Sequence, residues 1–184
     1  ENKRVALVAE MQLAKEKAEL EAKQREAAAK AAKLAAEKAA KEKAIKEAKM
    51  FGEVNVLASS EDKNFNYIPK DYQIPTDVAY YHCTSNNTIY GTEMFDFPNS
   101  PVPLICDMSS DIFSKPVDVS KFAMIYAGAQ KNMGPAGVTL VIIRKDLLDR
   151  ASPQTPDVFN YASQYKNNSL VATPPTFAFY VASL

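Results

Sequence analysis

Lys131 stands at the centre of Ala127-Gly128-Ala129-Gln130-Lys131-Asn132-Met133-Gly134-Pro135-Ala136-Gly137, a loop into which the apolar run 122–126 empties. The small residues around it allow the backbone to come close to a ligand. A lysine between a buried strand and a glycine-rich loop is costly to desolvate, and burial lowers its pKa toward the neutral amine that imine chemistry needs. The same spacing also fits a lysine that snorkels to solvent from an ordinary connection, and a lone Lys is a weak signal. Asp107 follows the run Leu104-Ile105-Cys106 and precedes Met108-Ser109-Ser110-Asp111. Ligands of open α/β sheets gather at the carboxyl ends of strands, where a carboxylate can hold a protonated pyridine nitrogen. Helix capping explains the cluster equally well, because Ser109, Ser110 and Asp111 are all good N-caps. Thr84-Ser85-Asn86-Asn87-Thr88 lies past a third strand end and supplies hydroxyls and amides for a phenolate or phosphate oxygen, or simply a polar turn.

Other chemistries find less support. His82 is the single histidine and falls inside an apolar run with no Asp or Glu beside it in sequence, so it reads as structural. No Gly-x-Ser-x-Gly elbow is present for a Ser/His/Asp hydrolase. Cys83 and Cys106 lack any Cys-x-x-Cys or Cys/His spacing, which predicts buried reduced thiols and no metal site. The 22 basic and 22 acidic residues cancel, leaving no field to recruit nucleic acid or an anionic membrane. No apolar run approaches a membrane span, and the N-terminus shows no signal core, so a cytoplasmic protein is expected.

The elements that must position these residues occupy only part of the 184-residue chain. Residues 1–50 contain no Gly or Pro and hold 13 basic against 9 acidic residues, leaving 9 against 13 in the remainder. Ala, Lys and Glu dominate this stretch and predict a continuous helix. Large apolar residues are too sparse after Leu20 for a filled coiled-coil seam, so the arm should be solvated and supported by i,i+4 pairs such as Glu16 with Leu20 and Glu37 with Lys41. Gly52 stops the pattern. Strands are then expected at 54–58, 79–83, 102–107, 122–126 and 138–143, short apolar runs that read as buried on both faces. They predict an α/β fold with a mostly parallel sheet, in which 138–143 is free to run antiparallel. A short helix is expected at 144–150, a polar aperiodic stretch at 152–168, and an apolar element from 177. Helical stripes to cover both sheet faces are too few, so the cover must come from further chain or another subunit.

Taken together, Asp107-Met108-Ser109-Ser110-Asp111-Ile112-Phe113-Ser114-Lys115-Pro116-Val117-Asp118-Val119-Ser120 and Tyr126-Ala127-Gly128-Ala129-Gln130-Lys131-Asn132-Met133-Gly134-Pro135-Ala136-Gly137-Val138-Thr139 resemble the phosphoserine aminotransferases. The resemblance runs from about residue 44 to about residue 183 and includes 84–91 and Thr173-Pro174-Pro175-Thr176. It implies part of the large domain of a class-V, fold-type I pyridoxal-phosphate enzyme over 51–184, preceded by a helical arm over 1–50. It also implies a homodimer that exchanges an amino group between glutamate and 3-phosphohydroxypyruvate in serine biosynthesis. By the resemblance Lys131 would be the Schiff-base lysine and proton shuttle, and Asp107 the partner of the pyridine nitrogen. Thr88 would bond the phenolic oxygen of pyridoxal 5'-phosphate and Gln130 its phosphate. The family's Asn-Thr-Pro-Pro motif, which reaches the neighbouring subunit's cofactor phosphate, reads Ala172-Thr173-Pro174-Pro175 here, so only Thr173 carries over.

The upstream phosphate loop, the ring-stacking aromatic and the C-terminal small domain of the family have no counterpart in these residues, and Ala/Lys/Glu repeats stand where the first two are expected. Two expectations follow. One is an aminotransferase that binds pyridoxal phosphate through Lys131, and the other is an inactive fragment or chimera serving as a structural or interaction module.

Overall fold

The computed structural model describes residues 2–184, and the side chains of residues 2–14, 16 and 37 lie outside that description. The Glu16–Leu20 and Glu37–Lys41 pairs expected from sequence therefore fall outside the described residues. The chain divides into two compact units, Glu1–Val56 and Leu57–Leu184. In the first, α1 spans Asn2–Ala48, roughly 70 Å at the usual rise per residue. Its described side chains are almost all exposed, with only Leu34, Lys41, Ile45 and Ala48 partly covered. The helix tightens at its end, where the amides of Met50 and Phe51 bond the carbonyls of Glu47 and Ala48 three residues back.

The second unit is built on a four-stranded sheet. Its strands are β1 (Tyr81–Thr84), β4 (Leu104–Asp107), β5 (Met124–Gly128) and β6 (Thr139–Ile143), adjacent in that order. β1, β4 and β5 are parallel, and β6 runs antiparallel to β5. A two-stranded hairpin of β2 (Asn86–Asn87) and β3 (Thr92–Glu93) follows β1. Because β1, β4 and β5 point the same way, their carboxyl ends share one edge of the sheet. The loop from β5 to β6 leaves and returns at that edge, since Gly128 pairs with Thr139.

The core lies on one face of the sheet. Cys83, Cys106 and Ile125 are register partners there and pack with Leu104, Met108, Ile112, Phe122 and Ala127. The Phe97 ring meets Phe122 edge to face at 4.8 Å. Cys83 and Cys106 are free and buried, with their sulfurs 3.8 Å apart. Ile105, Asp107, Met124 and Tyr126 project to the other face and are only half-buried. Burial thus alternates along β4 and β5, where the apolar runs had suggested strands covered on both faces.

Other elements also depart from expectation. Residues 54–58 form no strand. Asn55, Val56 and Ala58 are exposed and Val54 and Leu57 partly covered, and no strand pairs with this run. The stretch read as aperiodic contains a 3-10 turn (Asp157–Phe159) and the short helix α2 (Tyr161–Lys166). Asn160 caps α2 by accepting from the amides of Ala162 and Ser163, a signal that outranks the absent apolar period. Residues 145–150 are a 3-10 helix, and the final apolar element is α3 (Thr176–Ala182).

Candidate active site

The carboxyl edge gathers the residues singled out above. Past the end of β1, the Asn87 side chain accepts from the amides of Ile89 and Tyr90, a local turn that presents Thr88 at the hairpin tip. Gly91 closes that turn with φ +70, a conformation that suits glycine. Lys131 reaches across from the β5–β6 loop, and its Nζ donates to Thr88 Oγ1 at 2.6 Å. The loop is anchored beside it, where Asn132 Nδ2 donates to the Ile112 carbonyl at 2.6 Å and the Gly134 amide bonds the Ala129 carbonyl. Two residues 43 apart in sequence are thus joined by one hydrogen bond. The burial expected of Lys131 is not found. The loop leaves the sheet edge outward, and Gln130, Lys131 and Asn132 are all exposed.

Asp107 ends β4 and is half-buried. Its Oδ1 accepts from the Ser109 amide at 2.9 Å and the Ser109 hydroxyl at 2.6 Å. The Ser109 hydroxyl in turn accepts from the Gly128 amide at 3.0 Å. Deeper in the same turn, the buried Ser85 hydroxyl donates to Asp111 Oδ1 and faces the Asp107 carbonyl, while Asn86 and Ser110 bond each other twice. These bonds tie the start of the Thr88 hairpin to the turn that carries Asp107.

Asp107 has company on the open face of the sheet. His82 Nε2 and the Tyr126 hydroxyl are hydrogen-bonded at 3.0 Å, with their rings stacked at 6.0 Å between centroids. Burial and the Asp107 carboxylate push the Tyr126 phenol up. His82 keeps substantial solvent exposure, and the partial desolvation of its ring by the surrounding sheet face lowers its pKa, with Asp107 opposing that more weakly. No acid adjoins His82 in sequence, yet one acts on it across the sheet. Sequence reasoning missed the pairing because it depends on register, His82 and Tyr126 lying on strands separated by β4.

Gln130 and Thr173 are less closely drawn in. The Gln130 side chain folds back over Gly128, where an added Cβ would come within 2.5 Å of its Oε1. Thr173 is exposed. Its neighbour Pro175 packs near Gly137, and Val181 and Ala182 of α3 lie near Gly134, so the segment after Thr173 rests on the Lys131 loop. Among the described residues there is no cluster of potential metal ligands, and no helix is long and apolar enough to cross a membrane.

A lysine, a carboxylate and a hydroxyl lie at the carboxyl edge of a mostly parallel sheet, and the aminotransferase class-V family model matches residues 6–183. The chain belongs to that family. Within it, relatives similar to this chain include phosphoserine aminotransferases. That of Flavobacterium johnsoniae is 55% identical over 138 residues, covering 75% of this chain and 39% of the relative. That of Geobacillus kaustophilus is 57% identical over 140 residues, with the same shares. The solved phosphoserine aminotransferase from Bacillus circulans subsp. alkalophilus superposes with a TM-score of 0.72 at 49% identity, over 77% of this chain and 40% of that one. The pyridoxal-phosphate-bound enzyme from Trichomonas vaginalis gives 0.69 at 42% identity, over 77% and 43%. The chain therefore spans about two-fifths of the length of these relatives.

Proposed function

We propose that this chain carries the lysine-bearing part of a phosphoserine aminotransferase active site, which moves an amino group between glutamate and 3-phosphohydroxypyruvate with pyridoxal 5'-phosphate as cofactor. The observation that carries the reading is the Lys131–Thr88 hydrogen bond at the sheet edge that also holds Asp107. The donor set fits the cofactor, since an amine is needed for its aldehyde, a hydroxyl for its phenolic oxygen and a carboxylate for its ring nitrogen. When bound, pyridoxal phosphate supplies an electron sink for the negative charge that develops on the substrate carbon bearing the amino group.

Each residue then has a task. Lys131 Nζ would hold the cofactor through its aldehyde carbon and, as a free amine, would move the proton at the substrate α-carbon. Exposure leaves this amine accessible to a large ligand, and the Thr88 hydroxyl fixes where it waits. Asp107 holds the ring nitrogen in its protonated form. Gln130 supplies a phosphate contact after its side chain swings off Gly128. Thr173, exposed on a segment braced by the Lys131 loop, serves the cofactor phosphate of a second copy in a homodimer. Residues 1–50 form a helical arm to a domain over 51–184, and the working compartment is the cytoplasm. An isolated peptide of residues 1–50 that gives mostly coil by circular dichroism would remove the autonomous arm from this reading.

The test is covalent trapping. The purified chain is mixed with pyridoxal phosphate, reduced with borohydride and mapped by peptide mass. Label concentrated on Lys131 above the many lysines of α1 supports the reading, whereas label spread by exposure alone refutes it. Release of 2-oxoglutarate from glutamate and 3-phosphohydroxypyruvate then separates an enzyme from a module that binds without turnover.

A further inference from the structure

The site contains a residue whose bonding exceeds what a turn requires. Ser109 approaches Asp107 Oδ1 with both its amide and its hydroxyl, and the same hydroxyl accepts from the Gly128 amide. The direction of the bonds is fixed. A hydroxyl has one proton, so accepting from Gly128 leaves that proton for Asp107. The ladder between β4 and β5 makes its last backbone bond from the Met108 amide to the Tyr126 carbonyl. Gly128 lies two residues further along β5, where β4 has already ended, and the Ser109 hydroxyl accepts there in place of a strand carbonyl. Gly128 is also three residues before Lys131 on the same run of chain.

We propose that Ser109 is a positioning residue that fixes the Asp107 carboxylate relative to the strand leading to Lys131. The Ser109 hydroxyl bonds Asp107 and Gly128, while Lys131 Nζ bonds Thr88. Ser109 engages Oδ1 twice and, with the Tyr126 phenol also bearing on the carboxylate, fixes the orientation in which that carboxylate would meet a cationic ring nitrogen. A carboxylate free to rotate would spend part of its time aimed elsewhere, and holding it beforehand removes that ordering cost from binding. The inference rests on the reading of Asp107 as the partner of the ring nitrogen.

Its test compares two ligands on the full chain. One is pyridoxal phosphate, and the other is its analogue with the ring nitrogen replaced by C–H. Ser109→Ala should weaken pyridoxal phosphate binding roughly tenfold or more, the scale of a hydrogen bond to a charged group. It should leave the analogue unaffected. Ser109→Thr keeps the hydroxyl and should stay close to wild type, and Ser109→Cys carries the same comparison if the alanine variant does not fold. Exchange of the Gly128 amide, which needs no ligand, should accelerate about tenfold in Ser109→Ala. Equal weakening of both ligands would show a merely structural role and overturn the proposal, as would unchanged binding or unchanged Gly128 exchange. If the wild-type chain binds neither ligand, the functional reading fails and takes this inference with it. Failure confined to the variants overturns the inference alone.

Discussion

Replacing Ser85 by alanine should destabilise the second unit by about 2 kcal/mol, because the buried Asp111 carboxylate then loses a charge-assisted bond. Ser85 is 1% exposed and Asp111 7%, so water cannot readily replace the missing donor. The hydroxyl donates to Asp111 Oδ1 and also lies 3.1 Å from the Asp107 carbonyl. That carbonyl keeps the Ser85 amide as a donor at 2.9 Å, so the carboxylate bears most of the loss. Hydrogen bonds to charged groups are worth about 1.5–3 kcal/mol, and in a domain of this size 2 kcal/mol corresponds to a fall of about 6–8 °C in Tm. Urea unfolding followed by circular dichroism measures the difference at unchanged slope. Ser114→Ala is the control, since its exposed hydroxyl donates to the neutral Asp111 carbonyl and should cost about 0.5 kcal/mol. In an Asp111→Ala background the Ser85→Ala cost should fall to about 0.5 kcal/mol, because the carboxylate that needed the donor is gone. A Ser85→Ala effect below about 0.5 kcal/mol, or one that persists undiminished without Asp111, would refute the reasoning.

The remaining predictions concern the site and its loop. Thr88→Val should weaken pyridoxal phosphate binding by about 0.5–1.5 kcal/mol, roughly 2- to 12-fold, whereas Thr88→Ser should retain it, as read by absorbance titration. His82 has a folded-state pKa below its unfolded value, so the unfolded chain binds more protons in the window beneath pH 6.5. Its contribution to stability is therefore complete above that window and is lost as pH falls through the folded pKa. His82→Asn should flatten the drop in urea midpoint over that range, and an unchanged pH profile would remove His82 from the account. Gly137 has φ +117, and an added Cβ would sit 3.3 Å from Pro175 Cγ. Gly137→Ala should consequently cost about 1–3 kcal/mol in thermal unfolding, from backbone strain and displacement of the Pro175 segment.

How much of this could be read from the sequence follows from which physical rules are local. Apolar runs located four of the five expected strands, because a strand must bury its side chains wherever it pairs. The run at 54–58 satisfied the same pattern and failed, since composition cannot supply a partner. The placement of Lys131, Asp107 and Thr88 at one edge was legible because each lies just past an apolar run, and parallel strands bring such ends together. The bond between Lys131 and Thr88 was not legible, because it depends on how far the hairpin tip extends toward the loop. Pairings across strands were hidden for a related reason. His82 meets Tyr126, and Ser85 meets Asp111, only through the sheet's register, which no window along the chain contains.

The exposure of Lys131 bears on the roles proposed for it and its neighbours. In a buried pocket, desolvation would do part of the work of making the amine reactive. Here the lysine stands at an open edge, so its placement rests on fixed contacts instead: the Thr88 hydroxyl at 2.6 Å, the Asn132 anchor to Ile112, and the Gly134 bond that closes the loop. Asp107 is held in the same manner, by Ser109 bridging to Gly128. Both groups are thus set by hydrogen bonds from the turns that follow β4 and β5 and from the hairpin after β1, and β1, β4 and β5 contribute Cys83, Cys106 and Ile125 to the core face beneath. A change that loosens this one-sided core should disturb the lysine and the carboxylate together, whereas a change at Ser109 or Thr88 should disturb one and spare the other. That difference separates the positioning of the site from the stability of the sheet beneath it.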